Sequence, residues 1–107
     1  MISESAFNQQ IDDILLRIEE VLDGADSDLD YENSGGVLSV TCENGSKVIF
    51  TRQTPVRQLW VATPFGGFHF ELNAEGSWQR DSDQQPLAAF LGDTFARCAG
   101  EQLPFDA

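Results

Sequence analysis

Positive charge is what this chain of 107 residues most lacks: six Lys and Arg stand against eighteen Asp and Glu, with one His, for a formal net charge of −12. Nucleic acid and anionic membrane surfaces repel such a chain, whereas cations and basic protein patches attract it. Cysteine is nearly as scarce. Cys42 and Cys98 stand alone, outside any Cys-x-x-Cys or Cys/His spacing, which argues against a zinc site or a disulfide scaffold. Two free thiols in a reducing cytoplasm are the simplest reading. No apolar run is long enough for a membrane-spanning helix, and the start Met1-Ile2-Ser3-Glu4-Ser5-Ala6-Phe7 has neither the basic region nor the apolar stretch of a secretory signal. Internal repeats, low-complexity linkers and Gly-rich phosphate loops are also missing. A single domain over residues 1–107, cytoplasmic and large enough to bury its own core, is the expectation.

The negative charge that is present is concentrated. Residues 1–46 hold eleven acids and one base, Arg17, while residues 47–107 hold seven acids and five bases. The densest stretch runs from Glu19 to Glu32 and carries Glu19, Glu20, Asp23, Asp26, Asp28, Asp30 and Glu32 with no Lys, Arg or His among them. Two like charges about 6 Å apart repel by roughly 0.7 kcal/mol even in bulk water, so the fold holds this cluster against itself. Oxygen ligands without thiolate or imidazole suit hard cations (Mg, Ca, Mn, ferrous iron) better than zinc or copper. An EF-hand loop is excluded. Counting from Asp26, the sixth position is Tyr31 where glycine is required, and the twelfth is Val37 where a bidentate glutamate belongs. On a helix, Glu19, Glu20 and Asp23 share a face. On a following strand, Asp26, Asp28, Asp30 and Glu32 would lie on one side, with Leu29 and Tyr31 on the other. The two sets would then form one acidic ridge. A solvated face serving solubility is the competing reading of any such charge run.

Around the cluster the apolar pattern is regular. Phe7, Ile11, Ile14, Leu15, Ile18 and Leu22 recur at helical spacing after Ser3 or Ser5 and before Gly24. Two β-rich runs, 36–43 and 47–52, flank Asn44-Gly45-Ser46, a hairpin signal. Leu38, Val40 and Cys42 share the inner face, so Cys42 reads as core. Residues 58–63, 68–72 and 77–80 supply further strands, broken at Gln53-Thr54-Pro55, Pro64-Phe65-Gly66-Gly67 and Asn73-Ala74-Glu75-Gly76. Alternation puts Leu59, Val61, Phe68, Phe70 and Leu72 inward and leaves Gln58, Trp60, His69 and Glu71 outward. An outward Trp is either covered by a second layer or marks a contact site. A second helix, with Pro86 in its first turn, carries Leu87, Phe90, Leu91, Thr94, Phe95 and Cys98 and stops at Gly100. Leu103 and Phe105 in the tail are suited to closing the gap between the helices. Helix, strands joined by short turns, then helix is the plan of an α+β fold: a two-layer α-β sandwich with the N- and C-terminal helices on one face of an antiparallel sheet of about five to six strands.

Asn44-Gly45-Ser46-Lys47 followed by Arg52-Gln53-x-Pro55-x-x-Gln58-Leu59-Trp60-Val61-Ala62-x-Pro64-x-Gly66-Gly67-x-His69-Phe70 resembles the signature of the frataxin family in its bacterial form. The resemblance spans the chain, including the acidic first helix and the approach Asp26-x-Asp28-x-Asp30. It implies an α-β sandwich that binds ferrous or ferric iron weakly through surface carboxylates, with other divalent cations able to substitute. It also implies action in iron–sulfur cluster assembly, as an iron donor or as a regulator docking on the cysteine desulfurase and scaffold protein. By the same resemblance, Glu19, Glu20, Asp23, Asp26, Asp28, Asp30 and Glu32 match the metal-binding ridge, and Gln58 and Trp60 the partner-binding sheet patch; His69, beside them on the outer face, is expected to belong to that patch. A monomer is expected without iron. Gly24-Ala25 departs from the family, whose bacterial members often carry a longer, more acidic connector. An enzyme is not indicated: His69 has no Ser or Cys partner in a recognisable motif, and no Glu-x-x-His pair announces a di-iron centre. The alternative is an acidic interaction protein whose carboxylates serve only to hold a basic partner.

Overall fold

The computed structural model describes residues 2–105. Helix α1 spans Glu4–Asp23; it starts at Ser3, whose hydroxyl accepts the Ala6 N–H, and stops at Gly24, whose N–H reaches back to the Leu22 and Val21 carbonyls. Six strands follow: β1 (Asp30–Ser34), β2 (Val37–Thr41), β3 (Lys47–Gln53), β4 (Gln58–Thr63), β5 (Gly66–Leu72) and β6 (Trp78–Arg80). Each pairs antiparallel with the next, in the spatial order β1-β2-β3-β4-β5-β6. Helix α2, Leu87–Ala99, ends at Gly100, whose φ of +71° is the left-handed conformation a helix stop needs.

Both helices lie on one face of the sheet, as the α+β sandwich expectation required. The core follows from two periodicities. Phe7, Ile11, Ile14, Leu15, Ile18 and Leu22 of α1 and Leu87, Phe90, Leu91, Thr94, Phe95 and Cys98 of α2 are all buried, the twelve positions the helical spacing marked. From the strands come alternate residues: Leu38 and Val40, Val48 and Phe50, Leu59 and Val61, Phe70, and Trp78. Phe90 packs against Phe68 and Phe70 with ring centroids 4.8 and 5.0 Å away, and Phe7 meets Trp78 edge-on at 6.1 Å. In the tail Leu103 is buried and Phe105 stacks on Phe95 at 5.5 Å.

Three local expectations shift. Pro86 caps α2 from outside the first turn. The β2–β3 connection is five residues, Cys42 to Ser46, because Thr41 pairs Lys47; Asn44 Oδ1 accepts the Ser46 N–H at 2.9 Å and Gly45 takes φ +88°. The first strand starts only at Asp30, so Asp26 and Asp28 lie in an irregular connector and the alternation expected from residue 26 begins four residues later.

Candidate functional site: an acidic arm and an open sheet face

The stripe Asp12, Glu19, Asp23 along α1 faces the β1–β3 side of the sheet. Arg52 of β3 donates to Asp12 at 2.6 Å and to Asn8 at 3.2 Å, Asn33 of β1 donates to Glu19 at 3.1 Å, and the Tyr31 hydroxyl donates to Asp23 at 2.7 Å. Donating to a carboxylate makes ionisation harder, and the Tyr31 phenol is held above its ordinary value by Asp23 first, then by burial. Glu20 points to another flank, toward a hollow shared with Arg17, Val21, Gly24 and Pro104.

Tyr31 and Asn33 pair across to the buried Val40 and Leu38 and so face the helices, whereas Asp30 and Glu32, of opposite parity, pair with Thr41 and Ser39 and face away. The expectation of one continuous ridge is therefore corrected. The strand's pleat splits it: Glu19 and Asp23 lie on the helix layer, and Asp30 and Glu32 on the open face of the sheet. Asp26 and Asp28 bridge the two in the connector. Among the described residues no three Asp, Glu, His or Cys side chains gather closely enough to hold a metal ion. Equally, the three ion pairs among those residues, Arg52–Asp12, His69–Asp81 and Arg80–Asp83, use none of the seven carboxylates. None of the seven is neutralised by a Lys or Arg among the described residues, and only Glu19 and Asp23 have a side-chain donor, Asn33 and Tyr31.

The connector is fastened from a distance. Gly100 turns the chain out of α2, and Glu101 reaches back across 74 and 75 residues: its carboxylate accepts the Asp26 N–H at 3.0 Å, the Ser27 N–H at 2.8 Å and the Ser27 hydroxyl at 2.5 Å. Hydrogen bonds to the charged form, the Ser27 hydroxyl first, hold the Glu101 carboxyl below its usual range. Sequence reading did not find this residue, since nothing near Glu101 marks it as a partner of the acidic stretch.

The open face carries the second surface. Thr51, Trp60 and His69 lie in one row across β3, β4 and β5. Trp60 and His69 stack with centroids 4.4 Å apart and planes 12° from parallel. Gln58 Oε1 accepts the Trp60 indole N–H at 2.9 Å, and Asp81, also missed in the sequence, receives the Gln58 amide at 3.5 Å and lies 3.7 Å from His69 Nδ1. No second layer among the described residues covers this row. Trp60 stays 37% exposed beside a shallow hollow of about 180 Å³. A large aromatic ring held rigidly on an uncovered sheet is the kind of anchor that protein interfaces use.

A profile described as a Frataxin-like domain matches residues 1–101. The chain belongs to the frataxin family. It is 45% identical over 104 residues to the iron-sulfur cluster assembly protein CyaY of Pseudomonas aeruginosa, covering 96% of each chain, and 44% identical over 105 residues to that of Azotobacter vinelandii, covering 97% of this chain and 96% of the relative. Among solved structures, the frataxin of Psychromonas ingrahamii superposes with a TM-score of 0.91 at 31% identity over 99% of this chain and 100% of its own. This frataxin-family fold places its acidic arm at one edge of the sheet and its stacked Trp60–His69 pair at the middle. No helix among the described residues is long and apolar enough to cross a membrane.

Proposed function

We propose that this chain is a non-enzymatic iron-binding protein of iron–sulfur cluster assembly in the cytoplasm, donating iron to the cysteine desulfurase and scaffold protein or regulating the desulfurase according to iron supply. The observation that carries the iron reading is a set of seven carboxylates, Glu19, Glu20, Asp23, Asp26, Asp28, Asp30 and Glu32, none of them in an ion pair among the described residues, with oxygen as the only donor type. Iron here is cargo. Open ligation by one or two carboxylates at a time suits cargo, because a closed site with thiolate or imidazole would hold the ion too tightly to release it. The names of the relatives support the pathway. Gln58, Trp60 and His69 form the surface for the desulfurase, and the negative edge steers the chain onto a basic patch there.

The lack of any three converging carboxylates among the described residues favours a second reading, in which the acids serve only as an electrostatic docking surface. Titrating ferrous iron under anaerobic conditions while following amide signals separates the two. Iron binding predicts selective broadening between Glu19 and Glu32 at sub-millimolar to millimolar metal; an unchanged spectrum leaves only the docking role. A pull-down of the desulfurase with and without ferrous iron then reports whether the metal alters the encounter.

A further inference from the structure

Two thiols that the iron reading leaves unused meet inside this fold. Cys42 follows the last residue of β2, and the hairpin connection fixes its backbone: its N–H donates to the Ser46 carbonyl at 2.8 Å and its own carbonyl accepts the Gly45 N–H at 2.9 Å. Cys98 stands in the last turn of α2, just before Gly100 takes the chain out of the helix. Far apart in sequence, the two belong to one core cluster, both in the free thiol form and only 3% and 6% exposed. Their side chains lie within hydrogen-bonding reach of each other. The pair is unequal. Burial raises both thiols first of all; beyond that, Cys98 pushes Cys42 up further, to about 11, whereas a hydrogen bond from the Cys42 thiol and the charge of Arg97 pull Cys98 back down. Cys98 therefore ionises first, with Cys42 as its hydrogen-bond donor. Raised thiols react slowly, so the reduced pair is the resting state. An oxidant as large as glutathione disulfide has no path to sulfurs this covered, but hydrogen peroxide is scarcely larger than water, and the last turn of a helix opens more readily than its middle.

We propose that Cys98 and Cys42 are an oxidation site for small hydroperoxides, closing to a reversible disulfide that staples the end of α2 to the end of β2. The inference is independent of the iron reading. The Cys98 thiolate attacks one peroxide oxygen, the O–O bond breaks, the departing hydroxide takes up the proton that Cys98 gave away, and Cys98 is left as a sulfenic acid. The Cys42 sulfur then attacks the Cys98 sulfur, the S–O bond breaks, and the Cys42 proton leaves with the hydroxide as a second water. Two thiols thus lose two electrons and two protons while one peroxide becomes two waters. The staple fixes the last turn of α2, from which the Ala99 carbonyl accepts the Ser27 hydroxyl at 3.4 Å, so the connector after α1 is then anchored to the sheet as well as to the helix.

The experiment treats the full chain, reduced and freed of metal with a chelator, with hydrogen peroxide. The expected product is a monomer lighter by two hydrogens, with a Cys42–Cys98 cross-link in the non-reducing peptide map and both thiols recovered on adding a dithiol. In Cys42→Ala, dimedone is expected to trap a sulfenic acid at Cys98; in Cys98→Ala the remaining Cys42 thiol should react about tenfold more slowly than Cys98 does in Cys42→Ala. Thiols that survive a large excess of peroxide, a disulfide between two chains, or sulfinic and sulfonic acids without the cross-link would overturn the proposal and leave the pair as core filling. Faster reaction at Cys42 than at Cys98 overturns the assignment of Cys98 as the attacking sulfur. Should an alanine variant fail to fold, the cross-link map of the unmodified sequence decides the proposal on its own.

Discussion

Replacing Trp60 by alanine separates docking from folding, because the two tryptophans of the chain occupy opposite faces of the same sheet. Trp60 is 37% exposed and Trp78 4%. Trp60→Ala removes the stack on His69, worth about 0.5–1.5 kcal/mol, and an exposed hydrogen bond to Gln58, worth about 0.5 kcal/mol. These two contacts come to about 1–2 kcal/mol, or roughly 4–9 °C in Tm for a domain of this size, and the covered part of the ring adds to that at about 25 cal/mol per Å², so the total should stay below the cost of emptying a fully buried site. Trp78→Ala would empty a site beneath Phe7 and cost about 3–5 kcal/mol. Against the desulfurase, the partner proposed above, the order should reverse. An aromatic anchor at an interface centre carries about 2 kcal/mol or more, so Trp60→Ala should raise Kd by about 30-fold or more. Urea denaturation gives the first quantity, with Trp78 left as the only indole reporter in the variant, and calorimetric titration of the desulfurase gives the second. A stability loss as large as that of Trp78→Ala, or an unchanged Kd, would refute the assignment of Trp60 to an uncovered contact face.

Two further outcomes follow from the charge and the thiols. Asp23→Asn with Asp26→Asn should raise Tm by an amount equivalent to about 0.5–1 kcal/mol at low ionic strength, since the new side-chain amide at position 23 keeps an oxygen for the Tyr31 hydroxyl while two mutually repelling charges go; the gain should shrink in about 1 M salt, and a less stable variant contradicts the self-repulsion argument. Burial, then the neighbouring Cys98, pushes the Cys42 thiol up to about 11 from its ordinary 9.0. Its folded value lies above its unfolded one, so the contribution is complete below about pH 8.5 and is lost as pH climbs toward 11, by up to roughly 2 kcal/mol. Denaturation curves across that window should steepen for the wild type and flatten in Cys42→Ala; identical slopes would place the thiol in a wetter setting than the core.

What sequence made legible, and what it left out, divides along sequence separation. The buried face of each helix and the inner face of each strand are local periodicities, and they placed Trp60 and His69 outward correctly because alternation needs only a register start and a turn. The first strand shows where local reasoning ends. Asp26-x-Asp28-x-Asp30 alternates as well as any strand, yet pairing begins at Asp30 because the partner strand ends at Thr41 and offers nothing to residues before it. Strand ends are set by the neighbour. Glu101 was out of reach for the same reason: its partners stand more than seventy residues away, and a Glu after a helix-stopping Gly looks like solvent-facing surface. Once β1 is known to start at Asp30, the placement of the acids carries its own consequence. Asp30 and Glu32 share the open face with Trp60, three strands over, about 14 Å across the sheet and four and two residues further along it, so a partner lying flat on that face meets charge and indole together. Long-range attraction to the edge governs how fast the partner arrives and weakens with salt, whereas the desolvated ring governs how long it stays. The carboxylates on the helix layer lie on the other face, so under the proposed iron reading Glu19 and Asp23 stay open to metal while a partner engages the sheet.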